Sequence, residues 1–265
     1  MGLGTGESGQ QPETRFTPFD IWEKGHLTEH LGGIHATQRL VRRCQLSAGQ
    51  HVLDIGCGTG YTACYLALAY QARVVALDVN RQSVAGARER VSREGAITQV
   101  RITQADAHRL PFPTSTFDAV LAESVLVFCD ATAVVQEIHR VLKPGGVVGA
   151  NELTLLQPPP AQLLALLNGT MGVQSFQRDG WEAIYVAAGF RSVLSSVHRL
   201  NLWEQLVSHL RVDGLRGYLG AVVAGVRDAT IRRTFFNRQM LAGARQFLPC
   251  IGYGLYTGSK QLPAQ

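Results

Sequence analysis

The order of apolar and polar residues along the chain predicts an alternation of strands and helices. From residue 51, five short apolar segments are separated by longer segments of helical period. The predicted strands are HVLDIGC, RVVALDV, VRITQAD, FDAVLAE and GVVGANEL. This order is typical of repeated strand–helix–strand units, whose right-handed crossovers build a parallel sheet with helices on both faces. The pattern therefore predicts a doubly wound, Rossmann-like α/β fold.

The helices and the later strands follow from the same kind of pattern. Helices are predicted over YTACYLALAYQ, NRQSVAGARERVSREG and TAVVQEIHRVLKPGG. Residues 143–146 are expected to end the third of these helices and to form a tight turn. A proline-broken apolar connection over residues 155–176 leads to a predicted helix at DGWEAIYVAAG. Strands are then predicted at FRSVLSSVHRL and, after a helical region, at IGYGLYTGSK.

These patterns divide the 265-residue chain into five predicted parts. Residues 1–16 are polar and glycine-rich, which predicts a disordered tail. Residues 17–50 predict a helical lid over the ligand end of the sheet, and residues 51–200 form the core that binds the ligand. The pattern of residues 201–248 predicts two or three helices. These helices are expected to form either a cap or a dimerisation insertion. Residues 249–265 predict the last strand and a short tail.

Composition and charge narrow the function classes. Hydrophobic residues make up 46% of the chain and the net charge is +5, with arginines spread along the sequence. A small cluster, Arg232, Arg233 and Arg238, is more typical of a solvated face than of a nucleic-acid surface. The five cysteines form no CxxC pair, and no apolar segment is long enough for a membrane span or a signal peptide. We therefore expect a soluble protein in the reducing cytoplasm.

A glycine-rich turn after the first strand is the clearest candidate ligand site. Gly56, Gly58 and Gly60 lie between a strand and a helix, where backbone can approach a ligand closely. Tyr61 stands where a dinucleotide-binding fingerprint has its third glycine, so that pattern is not met. Asp54 precedes the turn, and its charge would repel a diphosphate and attract an ammonium group.

Two more strand ends carry acidic residues. Asp78 follows the glycines by about 20 residues, the spacing at which a carboxylate accepts both hydroxyls of a ribose. Asp106 ends the third strand and is placed to accept from an adenine amine, while the N–H of Ala107 donates to a ring nitrogen. Val79 and Leu110 either sandwich that base or belong to the ordinary core.

Together these motifs show a resemblance to a known family. VLDIGCGTG, ALDVN, QADAHRLPFPTSTFDAV, ESVLVF and VLKPGG resemble class I S-adenosylmethionine-dependent methyltransferases, above all the small-molecule group with the ubiquinone/menaquinone, tocopherol and sterol methyltransferases. The resemblance covers residues 51–153 and implies a seven-stranded sheet whose last strand is antiparallel. It implies that S-adenosylmethionine is the cofactor and that its methionine part is held by Asp54, Gly56, Cys57, Gly58, Thr59 and Gly60. It further implies that Asp78 holds the ribose, that Asp106 and Ala107 bind the adenine, and that Glu123 and Ser124 face the methionine part and the reacting methyl.

The resemblance also implies the chemistry. Methyl transfer from a sulfonium is an in-line displacement, so the protein's main task is to align and desolvate the two reactants. That task needs no metal, and the eight histidines include no H-E-x-x-H spacing, so no bound metal is expected. A phenol or hydroxyl acceptor needs a base, for which Glu152, His35, His30 and Glu123 are candidates.

Glu152 and the two histidines each have a structural alternative. Glu152 would equally serve as a strand-end carboxylate that caps the next turn, and the histidines as polar groups on a helix face. Gly32 and Gly33 let backbone approach the cofactor, with His30 or Thr37 closing the lid, or they simply break a helix.

The acceptor is the least defined part of the prediction. Residues 155–176 and 202–248 are apolar and carry aromatic side chains, which suits a cap over an apolar or aromatic small molecule or, equally, a homodimer interface. The fourth strand ends in AESVL and lacks the Asn/Asp-Pro-Pro-aromatic motif of base-amine methyltransferases, which disfavours nucleic acid as a partner. The alternatives are a non-catalytic or regulatory cofactor-binding protein, an RNA methyltransferase and an NAD-dependent oxidoreductase.

Overall fold

A computed structural model of the protein describes residues 30–212, 214–227, 243 and 245–262. The predicted tail over residues 1–16, the first part of the predicted lid and the arginine cluster at residues 232–238 lie outside these residues. So do the predicted helices beyond residue 227, apart from residues 243 and 245–248.

The described residues form one mixed sheet in the order β3-β2-β1-β4-β5-β8-β7. The first five strands are parallel, and β8 is antiparallel to both β5 and β7. The seven predicted strands and the antiparallel last strand are therefore confirmed, and a two-residue strand, β6, pairs with β5 in addition. The strands are β1 (His51–Ile55), β2 (Arg73–Asp78), β3 (Val100–Gln104), β4 (Phe117–Glu123), β5 (Leu142–Leu155), β6 (Phe176–Gln177), β7 (Phe190–Arg199) and β8 (Ile251–Lys260).

Helices cover both faces of the sheet, as the alternating pattern predicts. The first three helices pack on one face, around a core that includes Leu40, Cys64 and Val91. The fourth and sixth pack on the other, around Val134 and Trp181. The helices are α1 (Gly33–Arg43), α2 (Tyr61–Tyr70), α3 (Arg81–Arg93), α4 (Ala131–Val141), α5 (Ala161–Leu164), α6 (Arg178–Ala187), α7 (Leu202–Val212) and α8 (Gly214–Arg227).

The beginnings of these helices differ in a way that matters for the site. Asn80 and Asp130 cap α3 and α4 with their own side chains, which accept hydrogen bonds from backbone N–H groups of the first turn. By contrast, α1 and α2 begin at Gly32 and Gly60, both in the left-handed region, and neither glycine can supply a side-chain cap. Both of these uncapped helices begin near the predicted cofactor site.

The fifth strand is longer than its sequence pattern predicts. The apolar segment GVVGANEL spans residues 146–153, but β5 runs from Leu142 to Leu155 and begins directly after α4 ends at Val141. Phe117 pairs with Leu142 and the next pair is Ala119 with Val147, so residues 143–146 bulge out of the ladder. The predicted helix stop is confirmed, and the predicted turn is a bulge within the strand.

Two further features concern membrane-spanning helices and disulfide bonds. No helix within the described ranges is long and apolar enough to cross a membrane. All five cysteines are free, as expected from the absence of CxxC pairs.

The packing of Trp181 generates a stability prediction. Its side chain is fully buried between Phe176 and Tyr256, and its indole N–H donates to the carbonyl of Leu153 at 3.0 Å. We expect Trp181→Ala to lower the free energy of unfolding in urea by about 3–5 kcal/mol, because it leaves a cavity and an unpaired carbonyl. Trp203→Ala is the control, since that side chain is 70% exposed and its loss should leave the unfolding midpoint unchanged. Equal midpoints for both variants would contradict this account of the core.

Candidate cofactor site

The predicted glycine turn (residues 56–60) lies at the carboxyl edge of the parallel strands. Gly56, Gly58 and Gly60 have φ angles of +65°, +51° and +82°, which only glycine adopts without strain. A Cβ atom added at Gly58 would have no atom within 4 Å, so this backbone borders open space. The turn therefore offers a cradle that a ligand can approach, as its sequence predicts.

Asp78, at the end of β2, holds the glycine turn in shape. Its Oδ2 accepts from the N–H of Gly58 at 3.0 Å and its Oδ1 from the N–H of Asn80 at 2.8 Å. Each carboxylate oxygen has a second lone pair, so these contacts leave Asp78 able to accept from ribose hydroxyls. The predicted ribose residue thus also orders the turn, a role that its sequence position did not reveal.

Asp54, at the end of β1, is a buried carboxylate with an unsatisfied oxygen. Its side chain is 2% exposed, and Oδ2 has no hydrogen-bond partner among the described residues. Burial raises the pKa of Asp54 well above its ordinary value, and the charges of Glu123 and Asp78 raise it further. A ligand cation would relieve all three effects, so the residues present fit a positively charged ligand such as S-adenosylmethionine.

Glu123, at the end of β4, is held by groups from two helices. Thr62 of α2 donates to Oε1 at 2.8 Å, and Thr37 of α1 donates to Oε2 at 3.0 Å. Nε2 of His30 lies 3.5 Å from Oε2. The carboxylate is buried, and hydroxyls from two helices on one face of the sheet fix its position. The structure thus brings Glu123 together with His30 and Thr37, the two residues that the sequence proposed for the lid.

The amide of Asn151, on β5, determines how His30 shares its proton. Nδ2 of Asn151 donates to the carbonyl of Leu31 at 2.7 Å and lies 3.2 Å from Nδ1 of His30. We infer that Nδ1 is an acceptor and that Nε2 carries the proton. Nε2 then donates to the Thr37 hydroxyl at 2.8 Å, and Thr37 donates to Glu123. Both ring nitrogens of His30 are engaged, so its contacts are those of a closing residue and not of a free base.

Ser124 joins the same closure. It has a φ of +55°, its N–H donates to the carbonyl of Asn151 at 2.6 Å, and its hydroxyl accepts from the N–H of Leu31 at 3.4 Å. We call residues 30–37 the lid segment, because they contact the ends of both β4 and β5. The described residues of the predicted lid contact this edge of the sheet, and their closing over a ligand stays a prediction.

The predicted adenine end lies in the open. Asp106 accepts from the backbone N–H of His108 at 2.9 Å, and its Oδ1 lies 2.7 Å from Nδ1 of that ring, contacts that lower the pKa of Asp106. Val79 is 68% exposed and Ala107 half-buried, so both are accessible to a base. Leu110 is 3% exposed within the core, which supports the core alternative over the sandwich for this residue.

Two residues of the glycine turn face protein. The side chain of Cys57 is buried, and its N–H donates to the carbonyl of Leu77 at 2.9 Å. The carbonyl of Thr59 accepts from Nε of Arg90 at 3.1 Å. Arg90, which is 6% exposed on α3, was not predicted as part of the site, because its sequence pattern is that of any arginine on a helix.

The carboxylate of Glu152 is engaged by backbone groups. It is fully buried, and its carboxylate accepts from the backbone N–H groups of Val125, Leu126 and Val127 at 3.1, 3.0 and 3.4 Å. These contacts are those of the capping alternative, because the strand-end carboxylate closes the turn that follows β4. We therefore correct the assignment of Glu152 as a base. His35 lies half-buried on α1, and its catalytic role stays a prediction.

The two glycines of the lid segment approach protein atoms. A Cβ atom on Gly32 would collide with Tyr253, and one on Gly33 with Ser208. Ser208 lies on α7 and accepts from the N–H of Ile34 at 2.8 Å, so a side chain 174 residues away caps α1. Gln205 of α7 accepts from the N–H of Gly32 at 3.1 Å and donates to the carbonyl of His30 at 3.2 Å. The absence of a side chain at these two glycines therefore allows the lid segment to pack closely against α7 and Tyr253.

Comparisons with known proteins agree with this geometry. A family model described as a methyltransferase domain matches residues 53–149. The uncharacterized methyltransferase YodH of Bacillus subtilis is 35% identical over 164 residues, which are 61% of this chain and 69% of YodH. The ubiquinone/menaquinone biosynthesis C-methyltransferase UbiE of Coxiella burnetii is 34% identical over 187 residues, which are 69% of this chain and 74% of UbiE.

A solved structure supports the fold independently. It is a SAM-dependent methyltransferase from Thiobacillus denitrificans in complex with S-adenosyl-L-homocysteine. It superposes with a TM-score of 0.69 at 17% identity and covers 92% of this chain and 98% of that one.

The buried position of Glu152 generates a prediction about pH. Burial raises the pKa of Glu152 from 4.5 to about 8, and three backbone donors oppose that rise. A folded state that keeps a proton which the unfolded chain releases loses stability as pH rises from about 4.5 to about 8. We expect the urea unfolding free energy of the wild type to fall over this window relative to that of Glu152→Gln, which cannot titrate. Parallel curves for the two proteins would mean that Glu152 is ionised throughout.

Proposed function

Because this chain belongs to the class I S-adenosylmethionine-dependent methyltransferases, with S-adenosylmethionine as its methyl donor, we propose that it methylates an apolar or aromatic small molecule at O, N or C. The observation that carries the donor assignment is the buried, partnerless Oδ2 of Asp54 beside Glu123. A site with this excess of negative charge favours a cationic nucleoside over a dinucleotide.

The proposed donor contacts follow the strand ends. Bound S-adenosylmethionine supplies a methyl group made electrophilic by the positive charge on sulfur. Asp54 accepts from the ammonium of the methionine part, and Asp78 accepts from the ribose hydroxyls. Asp106 and the N–H of Ala107 bind the edge of the adenine, while exposed Val79 covers one of its faces.

Glu123 has the role of a fixed negative charge near the reacting group. Both of its oxygens already accept from hydroxyls of Thr37 and Thr62, so the carboxylate needs no reorganisation when a cation binds. A preorganised charge of this kind acts strongly in a water-excluded site. Ser124 holds the lid segment over the same strand end.

We place the acceptor beneath α7 and the lid segment. Gln205 and Ser208 tie α7 directly to residues 30–34, which supports the cap alternative for the first part of residues 201–248 over the dimer alternative. The name of UbiE describes a C-methyltransferase of quinone biosynthesis, which supports an apolar aromatic acceptor here. His35 is retained as the base for an acceptor hydroxyl, whereas a carbon or amine nucleophile needs none.

The donor assignment is tested with adenosylhomocysteine. We expect calorimetry to show one binding site per chain, and Asp78→Ala to weaken binding by about 10- to 100-fold, the effect of losing charge-assisted hydrogen bonds. Asp179→Ala is the matched control, because that carboxylate is exposed on α6 and pairs with its neighbour Arg178. Unchanged affinity in Asp78→Ala would disprove the ribose assignment.

The catalytic assignment is tested with labelled donor. The wild type, incubated with S-[methyl-³H]adenosylmethionine and a panel of phenols, amines and quinone precursors, should transfer label to at least one of them. Cofactor binding without transfer to any acceptor would instead support the non-catalytic alternative.

The cap that α7 supplies to α1 generates a prediction about lid opening. Ser208→Ala removes the acceptor of the Ile34 N–H, and loss of such a cap costs about 1 kcal/mol. We therefore expect backbone amides of residues 30–37 to exchange with deuterium about fivefold faster. Adenosylhomocysteine should also dissociate faster. Ser92→Ala, an exposed serine on α3, is the control, and exchange unchanged from wild type in Ser208→Ala would contradict the cap.

A further inference from the structure

A basic groove lies between α1 and the edge strand β7, on the face of the sheet that carries α1. It has a volume of about 630 Å³ and adjoins a hollow of about 360 Å³, with Arg39 and His198 lining both. We call the two together the basic groove. A volume of this size suits a small organic ligand. The positive side chains of the groove are Arg39, Arg42, Arg43 and Arg199.

The basic groove is separate from the cofactor site. His198 pairs with Tyr253 across β7 and β8, and three strand spacings, roughly 14 Å, separate β7 from β4. Tyr253 packs against Gly32 of the lid segment, whose other contacts lead to Glu123. The groove thus lies behind the lid segment, at the same carboxyl edge of the sheet.

The arginines of the groove form no ion pairs within the described residues. Arg39, Arg42 and Arg43 follow one another at helical spacing on α1, where like charges repel. In the part of the chain that the structure describes, neither these three nor Arg199 forms an ion pair with a carboxylate. Arg39, Arg42, Arg43 and His198 line the smaller hollow together. Burial and then the charges of Arg39 and Arg43 lower the pKa of His198, and the charge of Glu204 opposes that shift.

The groove also has aromatic walls. Trp203 is 70% exposed at its rim, and Asn201 fixes that end of α7 by accepting from the N–H groups of Trp203 and Glu204. The rings of His198 and Tyr253 stack at a centroid distance of 5.1 Å. Glu204 contributes one carboxylate, an acceptor for a hydroxyl or amine of a ligand. A concave site with aromatic walls and this mixed charge favours a small molecule over a flat membrane surface.

We propose that the basic groove binds a small aromatic anion, a phosphate or carboxylate carried on a ring. Guanidinium groups of the arginines bind the anion, for which their planar donors are suited, and Trp203 stacks on the ring. This is a second ligand site, and it stands whether or not the chain's acceptor is the one proposed above.

The test uses phenyl phosphate and benzoate as aromatic anions, with inorganic phosphate and phenol as the separate halves of phenyl phosphate. Calorimetry of the wild-type chain should show saturable binding of an aromatic anion at one site, tighter than binding of either half. Whichever of the two binds tighter identifies the anionic group. We expect Arg39→Gln and Arg199→Gln each to weaken this binding tenfold or more. Trp203→Ala should weaken binding of the aromatic anion and leave that of inorganic phosphate unchanged.

Two controls show whether binding depends on this groove and not on the protein's overall positive charge, and whether the groove is independent of the cofactor site. Arg101→Gln removes an exposed arginine on β3 and should have no effect, whereas an equal loss there would overturn the proposal. The Arg39 variant should bind adenosylhomocysteine as the wild type does. Absence of saturable binding of either aromatic anion overturns the proposal. The proposal is also overturned if the protein binds vesicles that contain phosphatidylglycerol but neither aromatic anion, because this face would then be a membrane-binding surface.

Discussion

The structure depends on how two carboxylates are accommodated at the carboxyl edge of a parallel sheet. Asp54 and Glu123 end the neighbouring strands β1 and β4, and both are buried. Burying an ionised carboxylate is costly unless hydrogen bonds or an opposite charge compensate. Hydroxyls of Thr37 and Thr62 compensate Glu123, so one group fixes the positions of α1 and α2. Among the described residues Oδ2 of Asp54 has no hydrogen-bond partner, and in the function proposed above the cationic donor would compensate this carboxylate.

Structural features that depend on residues close together along the chain could be predicted from the sequence. The strand order, the glycine turn and the acidic strand ends follow from local patterns, and the carboxyl ends of parallel strands necessarily meet at one edge. Asp54, Asp78 and Glu123 are therefore predicted from the sequence to lie together at this edge. The helix stop before β5 was local too, whereas the bulge over residues 143–146 depends on pairing with β4 and could not be recognised.

Features that depend on distant partners could not be predicted. Glu152 has the same sequence signature as a base or as a cap, and its role was decided by the three backbone N–H groups that follow β4. The capping of α1 by Ser208 joins residues 174 positions apart. Gly32 and Gly33 signalled a close approach, but nothing in their sequence context indicated that Tyr253 and Ser208, and not a ligand, lie opposite them.

The lid segment connects the parts of the molecule that the sequence presents as separate. His30 and Thr37 join it to Glu123, Gln205 joins it to α7, and Gly32 packs on Tyr253 at the basic groove. Its helix has no side-chain cap of its own, so its order depends on these neighbours. A ligand bound at the cofactor site that orders the lid segment would reduce the free-energy cost of ordering it when a second ligand binds at the basic groove. Such coupling is reciprocal, so the donor and the aromatic anion proposed for the groove would change each other's affinity by the same factor through this segment.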